Sequence, residues 1–354
     1  MSKKNLIVII PAYEPTQEFV DYAKRTAEFA EELVVVNDGS GSACDSIFSE
    51  IASIENVKFI TYPENHGKGY ALKEAFKYCA ETKDGNCVCV TADCDGQHDL
   101  EDISRIADAV FARPEALILG ARDFDLPNVP PRSKAGNRSI RRIFRLLYGI
   151  NLKDTQTGLR GFTVDLAKQF CSITGNRFEF EMDMLIYSSR NSIPIVEVPI
   201  RTIYPDDPQD HTSHYKSVRD SIRIMGVVVR NLNRYILTAL ISGVVDVSLF
   251  YILSGIILDG RSAMNTLIAT AGARVISSLV NFSLNKKYVF AGKTKGSFFR
   301  YYTLWFSQLG ASYGIVYVFG NMLHLPMTLV KIVGDLILAF FSYKIQSFWV
   351  FKNK

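Results

Sequence analysis

The chain has 354 residues, 48% of them hydrophobic and 21% charged, a length that suits roughly two domains of about 150 residues each. Its formal net charge of +4 is too small to argue for a nucleic-acid partner. These averages hide a split: up to about Asn233 the sequence reads as a soluble α/β protein, and beyond it the chain is mostly apolar with few acids.

Met1-Ser2-Lys3-Lys4 runs straight into an apolar run over 5–10, too short for a signal-peptide core, so the first part is expected on the cytoplasmic side. That run, closed by Pro11, reads as a strand buried on both faces, and 33–36, 57–60, 87–91 and 116–119 read alike. Helical periodicity fills the gaps at 16–31, 42–53, 69–80 and 100–111. Alternating β and α predicts a mostly parallel sheet with helices on both faces, and ligands bind such sheets beyond the carboxyl ends of the strands. Polar clusters fall there: Pro11-Ala12-Tyr13-Glu14, Asn37-Asp38-Gly39-Ser40 and Asp93-Cys94-Asp95. All six cysteines precede residue 172, and Cys87-Val88-Cys89 lacks the spacing of a redox or zinc pair, which predicts reduced thiols.

Several enzyme classes lose their main support. A dinucleotide fingerprint would need glycine at Cys44, and Gly67-Lys68 is followed by Gly69 and preceded by Tyr62 where a phosphate loop needs Ser or Thr and glycine. His-Glu-x-x-His does not occur. The positive signal is Thr91-Ala92-Asp93-Cys94-Asp95-Gly96-Gln97-His98. Two carboxylates two residues apart, just past a strand end, can reach one hard cation that keeps waters and binds substrate phosphates. Such a cation neutralises a departing diphosphate.

Six segments in order resemble family 2 glycosyltransferases of the GT-A fold, especially the polyprenyl-phosphate branch that includes dolichyl-phosphate mannose synthases. They are Ile10-Pro11-Ala12-Tyr13-Glu14, Val36-Asn37-Asp38-Gly39-Ser40, residues 65–72, the Asp-x-Asp segment, Gly120-Ala121-Arg122 and residues 154–162. The resemblance covers roughly residues 5–230. It implies that Pro11, Ala12, Tyr13 and Glu14 line the base and ribose pocket, that Asp38 contacts the base, and that Lys68 lies near the donor. Asp93 and Asp95 would hold the diphosphate and a Mg²⁺ or Mn²⁺ ion, with Gln97 as a further ligand and Asp95 central to catalysis. Arg122, with Arg132 and Ser133, would bind the acceptor phosphate. The family often has Asp where this chain has Asn37. Glu179 and Glu181 fall where relatives keep acids near the donor, or are helix N-terminal acids stabilised by the dipole. His214 lies in a loop placed near the phosphates, or is a solvated loop histidine.

The implied reaction is inverting transfer of a hexose from UDP-glucose, UDP-N-acetylglucosamine or GDP-mannose to undecaprenyl or dolichyl phosphate. A sugar hydroxyl acceptor would need a general base, whereas a lipid phosphate is already anionic and needs positioning and charge compensation. A processive polymerase would carry Gln-x-x-Arg-Trp by family analogy, and this sequence has none.

Residues 138–150 form a basic amphipathic pattern, with Ile140, Ile143, Phe144 and Leu147 flanked by Arg138, Arg141, Arg142 and Arg145. A second lies within 217–230: Val218, Ile222, Met225 and Val229, flanked by Arg219, Arg223 and Arg230. Both patterns suit a membrane surface, and also core-facing helices with solvated charge. Four apolar stretches, at 235–258, 263–284, 302–323 and 327–350, are long enough to span a bilayer. Lys286, Lys287, Lys293, Lys295 and Arg300 between the second and third, with Lys352 and Lys354 at the end, put both termini in the cytoplasm, while the first outer loop has only Arg261. The expected layout is a catalytic domain over 1–230 and a multi-pass membrane domain over 231–354. Asp246, Arg274, Lys331 and Asp335 lie within the spans, where ionisable groups pair or face the interior. The four-span module resembles the GtrA-like family, most specifically over residues 281–290. That implies an alternative: a lipid-linked sugar flippase with a regulatory transferase-like domain.

Overall fold

The computed structural model describes residues 3–126, 129, 131–201, 217–258, 263–290, 296–323 and 325–351. The chain divides into two compact units, Met1–Val228 and Val229–Lys354.

The first unit holds a seven-stranded sheet of β1 (Lys3–Ala12), β2 (Ala30–Asp38), β3 (Val57–Tyr62), β4 (Val88–Thr91), β5 (Leu117–Ala121), β6 (Arg160–Thr163) and β7 (Ile195–Pro199). The strand order is β3-β2-β1-β4-β6-β5-β7. Every neighbouring pair is parallel except the two that β6 makes, with β4 and β5. The mostly parallel α/β sheet expected from the alternation is therefore present, with one reversed strand that the alternation did not show. Leu6 to Ile10 are at most 2% exposed, as strands covered on both faces require. Each such side chain contributes about 1.5–3 kcal/mol of burial.

Pro11 does not close β1, which continues through it to Ala12. Ile9 bonds toward β4, and Pro11, two residues on, faces the same side. Pairing with β4 ends at Ile9 opposite Thr91, so the N–H that proline lacks has no partner to lose.

Between the strands lie α1 (Glu18–Phe29), α2 (Asp45–Ala52), α3 (Lys68–Thr82), α4 (Leu100–Ala112), α5 (Pro131–Tyr148), α6 (Val164–Phe170) and α7 (Glu179–Arg190). Asp99 caps α4 by accepting from the Glu101 amide at 3.2 Å. Phe162 of β6 packs against Phe76 of α3 and Phe170 of α6, with ring centroids 5.1 and 5.3 Å away.

The apolar stripe of α5 turns inward. Ile140, Phe144 and Leu147 are at most 7% exposed, and the Tyr148 hydroxyl donates to the Val228 carbonyl at 2.8 Å. This corrects the membrane-surface reading of the stripe. Its apolar side is core, and Arg138, Arg142 and Arg145 face outward. Of the second amphipathic pattern, the side chains of 217–224 lie outside the described residues.

The second unit carries most of α8 (Ser217–Ile252), then α9 (Ala263–Leu284), α10 (Ser297–Ile315) and α11 (Met327–Ile345). Each runs on into a wider turn with i→i+5 bonds, such as Phe290 N to Asn285 O at 3.0 Å. Among the described residues, Met225–Ile257 and Met264–Val289 are long and apolar enough to cross a bilayer. Burial here is inverted. Leu240, Val244, Val247 and Leu336 are more than 60% exposed, whereas Asn285, Ser342 and Gln346 are at most 3% exposed. Asn285 accepts from the Thr238 hydroxyl at 2.6 Å and donates to Asn281 at 2.8 Å and Gln346 at 3.1 Å.

Candidate active site

The ends of β1, β2 and β4 bring together three of the segments singled out above. Pro11 and Ala12 are buried within β1, so of the four expected pocket residues Tyr13 and Glu14 reach solvent. Glu14 adopts φ 47°, and its amide donates to Ser40 Oγ at 2.9 Å. Asn37 holds the same turn, accepting from the Ser40 amide at 2.9 Å and donating to Thr61 at 3.2 Å.

Asp38 is 2% exposed and its carboxylate is occupied by the protein itself. It accepts from Tyr62 Oη at 2.8 Å, Asn65 Nδ2 at 3.0 Å, His66 N at 3.0 Å and Gly67 N at 2.9 Å. A carboxylate offers about four acceptor sites, so little is left for a base. Asp38 anchors the 62–67 segment that leads into α3. Gly39 makes the approach possible: with φ +66°, its absent Cβ would lie 2.2 Å from the Glu64 carbonyl carbon.

Lys68 is the first residue of α3. Its ammonium lies 2.6 Å from Asp93 and 2.8 Å from Glu181, and His98 Nε2 is 3.3 Å from the other Asp93 oxygen. Burial works to raise the Asp93 carboxyl, but Lys68 and His98 outweigh it and hold it below the ordinary carboxylate range. Burial likewise works against the Lys68 charge, and Asp93 and Glu181 overcome it, so the ammonium persists above its usual range. Asp95 differs: burial, then the neighbouring Asp93 charge, raises its carboxyl. It accepts from the Gln97 amide at 3.2 Å. Burial pushes the Cys94 thiol up to about 12, which leaves no thiolate to act as nucleophile.

No cluster of three His, Cys, Asp or Glu side chains placed to hold a metal occurs among the described residues. The donor set still fits a hard divalent cation that shares its coordination with a diphosphate and water. Asp95 is the better ligand, because both Asp93 oxygens already face cationic or N–H partners.

The loop before β6 closes the other side. Because β6 is antiparallel, its first residue Arg160 pairs with Thr91, the last of β4, and with Leu119 of β5. The Thr91 hydroxyl donates to the Gly158 carbonyl at 2.7 Å. A Cβ on Gly158 would sit 2.3 Å from Asp93 Oδ2, so any larger residue there would displace that carboxylate. Arg122, just past β5, donates from Nε to Asp154 at 2.7 Å, and that carboxylate is fully buried. Its guanidinium also lies over the Phe124 ring at 5.2 Å. Arg122 is therefore tied to the loop that touches Asp93. Arg132 and Ser133 fall in the first turn of α5, and their side chains lie outside the described residues, as does His214.

The two acids of α7 divide. Glu179, the first residue of α7, accepts from the Asn176 and Arg177 amides just ahead of the helix, while Glu181 joins the site through Lys68. Sequence reasoning missed the roles of His98, Asp154 and Arg160. His98 stands five residues after Asp93, Asp154 begins the loop segment, and Arg160 is an arginine in a strand, which signals a buried charge. Arg160 is 2% exposed, donates to the carbonyls of Thr157 and Glu181, and has its charged form disfavoured by burial.

Comparison with known proteins agrees with this geometry. Residues 7–170 match Glycosyl transferase family 2, and residues 234–351 match the GtrA/DPMS transmembrane domain. The UDP-N-acetylglucosamine–dolichyl-phosphate N-acetylglucosaminyltransferase of Methanococcus voltae is 28% identical over 58% of this chain and 88% of its own. The undecaprenyl-phosphate mannosyltransferase of Micrococcus luteus is 28% identical over 55% and 82%. Among solved structures, glucosyl-3-phosphoglycerate synthase from Mycobacterium tuberculosis, crystallised with Mn²⁺, UDP and phosphoglyceric acid, is 17% identical with a TM-score of 0.47. That match covers 64% of this chain and 77% of the synthase. The chain is a membrane protein and a glycosyltransferase, in which a family 2 glycosyltransferase domain over residues 7–170, built on a mostly parallel α/β sheet, is joined to a GtrA/DPMS transmembrane domain over residues 234–351.

Proposed function

We propose that the chain transfers a hexose from UDP-glucose, UDP-N-acetylglucosamine or GDP-mannose to undecaprenyl or dolichyl phosphate, at the cytoplasmic face of a membrane that it crosses four times. The observation that carries this reading is the paired-carboxylate turn after β4. Lys68 and His98 compensate Asp93, whereas Asp95 stands exposed at the turn and forms no ion pair among the described residues. Such a turn can take a cation together with a nucleoside diphosphate. The dolichyl and undecaprenyl phosphates in the relatives' names support the acceptor class.

A bound Mg²⁺ or Mn²⁺ would supply charge neutralisation to the leaving diphosphate. The chain's own residues do the rest. Tyr13 and Glu14 line the donor cleft, with Gln97 beside it, and Asp93 and Lys68 fix the floor. Asp38 acts on the donor through the segment it anchors. Arg122, with Arg132 and Ser133, receives the lipid phosphate. One phosphate oxygen attacks the sugar C1 while the C1–oxygen bond to the diphosphate breaks, and the electron pair leaves with the nucleoside diphosphate. In-line attack on an α-linked donor gives a β-linked lipid-phosphate sugar. No general base is required, because the nucleophile is already anionic. The lysines between the second and third apolar stretches favour cytoplasmic termini.

The test incubates the purified full chain with each labelled donor and each polyprenyl phosphate, with and without chelator. Label in the lipid fraction that requires divalent metal and is lost in Asp95→Ala supports the reading. Transfer that survives chelation or that substitution overturns it, and flipping without transfer would favour the transporter alternative.

A further inference from the structure

The inward face of α1 is a stripe of buried residues, Phe19, Val20, Tyr22, Ala23, Thr26 and Ala27, and two of them carry hydroxyls. Thr26 turns its own back to the Tyr22 carbonyl within the helix, at 2.7 Å. Tyr22 sends its own out of the helix. A phenylalanine would fill nearly the same volume, whereas a buried phenol needs a partner for its O–H. Tyr22 is 4% exposed, and its hydroxyl donates at 2.8 Å to the carbonyl of His98, 76 residues along the chain. That carbonyl lies outside the ladder of α4, whose first bonds run from the Asp102 and Ile103 amides to the Asp99 carbonyl at 3.0 Å each. Losing the hydroxyl would leave a buried acceptor unpaired.

The contact falls at the end of the turn that joins β4 to α4. At the start of that turn the Ala92 amide donates to the Ile9 carbonyl of β1 at 3.0 Å. At its end Tyr22 holds His98, and Asp99 caps α4. Asp93, Asp95 and Gln97 lie between these two fixed points. Gly96 in the middle adopts φ +72°, and among the described residues no heavy atom stands within 4 Å of where its Cβ would be. The centre of the turn is therefore shaped from its ends. His98 passes the tether inward: the residue whose carbonyl Tyr22 holds places its Nε2 3.3 Å from Asp93 Oδ2. Burial, then the nearby Asp93 and Asp95 charges, push the Tyr22 hydroxyl well above its ordinary range, so it remains a donor.

We propose that Tyr22 is a positioning residue for cation and diphosphate binding: from α1 it fixes His98, and through His98 the conformation of the Asp93–Asp95 turn. It touches neither the cation nor the donor. The inference rests on the reading of that turn as the cation site, and it assigns a functional task to a helix that contributes no ligand of its own.

The test compares the purified full chain with Tyr22→Phe, which keeps the ring and removes one oxygen. Mn²⁺ binding is followed by calorimetry in the presence of UDP or GDP, whichever the parent binds. Outer partners of this kind commonly change metal affinity by tenfold or more, so Tyr22→Phe should bind Mn²⁺ about tenfold more weakly, and His98→Ala should do the same by another route. In the His98→Ala background, Tyr22→Phe should cost less than about threefold further, because the two residues act in series. Tyr78→Phe is the matched control. It loses a 2.8 Å hydroxyl bond to Glu32, near the amino end of β2, and should bind Mn²⁺ as the parent does. Parent-like affinity in Tyr22→Phe or in His98→Ala, an equal loss in Tyr78→Phe, or full additivity of the first two overturns the inference and leaves the cation site standing. A parent that binds no Mn²⁺ with either nucleotide overturns the reading of the turn, and the inference with it.

Discussion

Replacing Lys68 with methionine removes the cation shared by Asp93 and Glu181 and leaves the stem volume nearly unchanged. The three side chains are 17%, 32% and 10% exposed. Removing one partner of a buried pair costs about 3–5 kcal/mol. Water reaching the partly exposed Asp93 recovers some of this, so the low end applies. About 3 kcal/mol lowers the Tm of a unit this size by about 6–12 °C. The pH window follows from the two shifts. Asp93 is held below its unfolded value of about 3.9, so its share of stability is present above that value and is lost as pH falls through the folded pKa. Lys68 is held above about 10.4, so its share is present below that value and is lost as pH rises through the folded pKa. The gap between parent and variant is therefore full from about pH 5 to 9 and closes toward acid. All six cysteines precede residue 172, so a thiol-reactive dye reports melting of the first unit alone. A Lys68→Met midpoint within about 2 °C of the parent at pH 7 would refute the reasoning.

Asp95→Asn should lower transfer by about 100-fold or more without unfolding the protein. Because burial and Asp93 raise the Asp95 carboxyl, protons should compete with metal, and Mn²⁺ titrations by calorimetry with UDP present should show weaker affinity as pH falls. A flat pH profile would contradict this. Asp38→Ala should speed amide exchange at His66 and Gly67 about tenfold while Leu6 to Ile10 stay protected, because each loses a bond to a charged acceptor worth about 1.5–3 kcal/mol. Unchanged exchange would remove the anchoring role. Gly158→Ala drives a methyl against Asp93 and should reduce kcat about 100-fold. A fully active Gly158→Ala enzyme would mean that the loop does not touch the reacting groups.

The parallel part of the fold was legible because strands buried on both faces leave continuous apolar runs, as at Leu6–Ile10 and Leu33–Val36. The antiparallel β6 was not, since its four residues begin with an arginine and show neither periodicity. Burial direction was also hidden. Ile140, Phe144 and Leu147 give the same stripe whether they face lipid or core, and only the packed structure decides. At the site, local motifs singled out Asp93, Asp95 and Lys68, and the structure brings Lys68 to Asp93. Their partner Glu181 was not separable from Glu179, because helix position alone gives both acids the same alternatives. Asp38 was read as facing a ligand; its amide donors lie 28 and 29 residues further along the chain, a contact that local spacing cannot show.

The reversal of β6 has a consequence for how this enzyme can change. The polar segments after β1, β2, β4 and β5 leave the carboxyl ends of their strands, but the Asp154–Gly158 loop arrives at the amino end of one. It is pinned between α5 upstream and the Thr91–Arg160 rung downstream, so insertions or deletions between Tyr148 and Asp154 alter one wall while the registers of β1, β2 and β4 stay fixed. That wall can drift along the stretch while the Asp93–Asp95 turn is inherited intact.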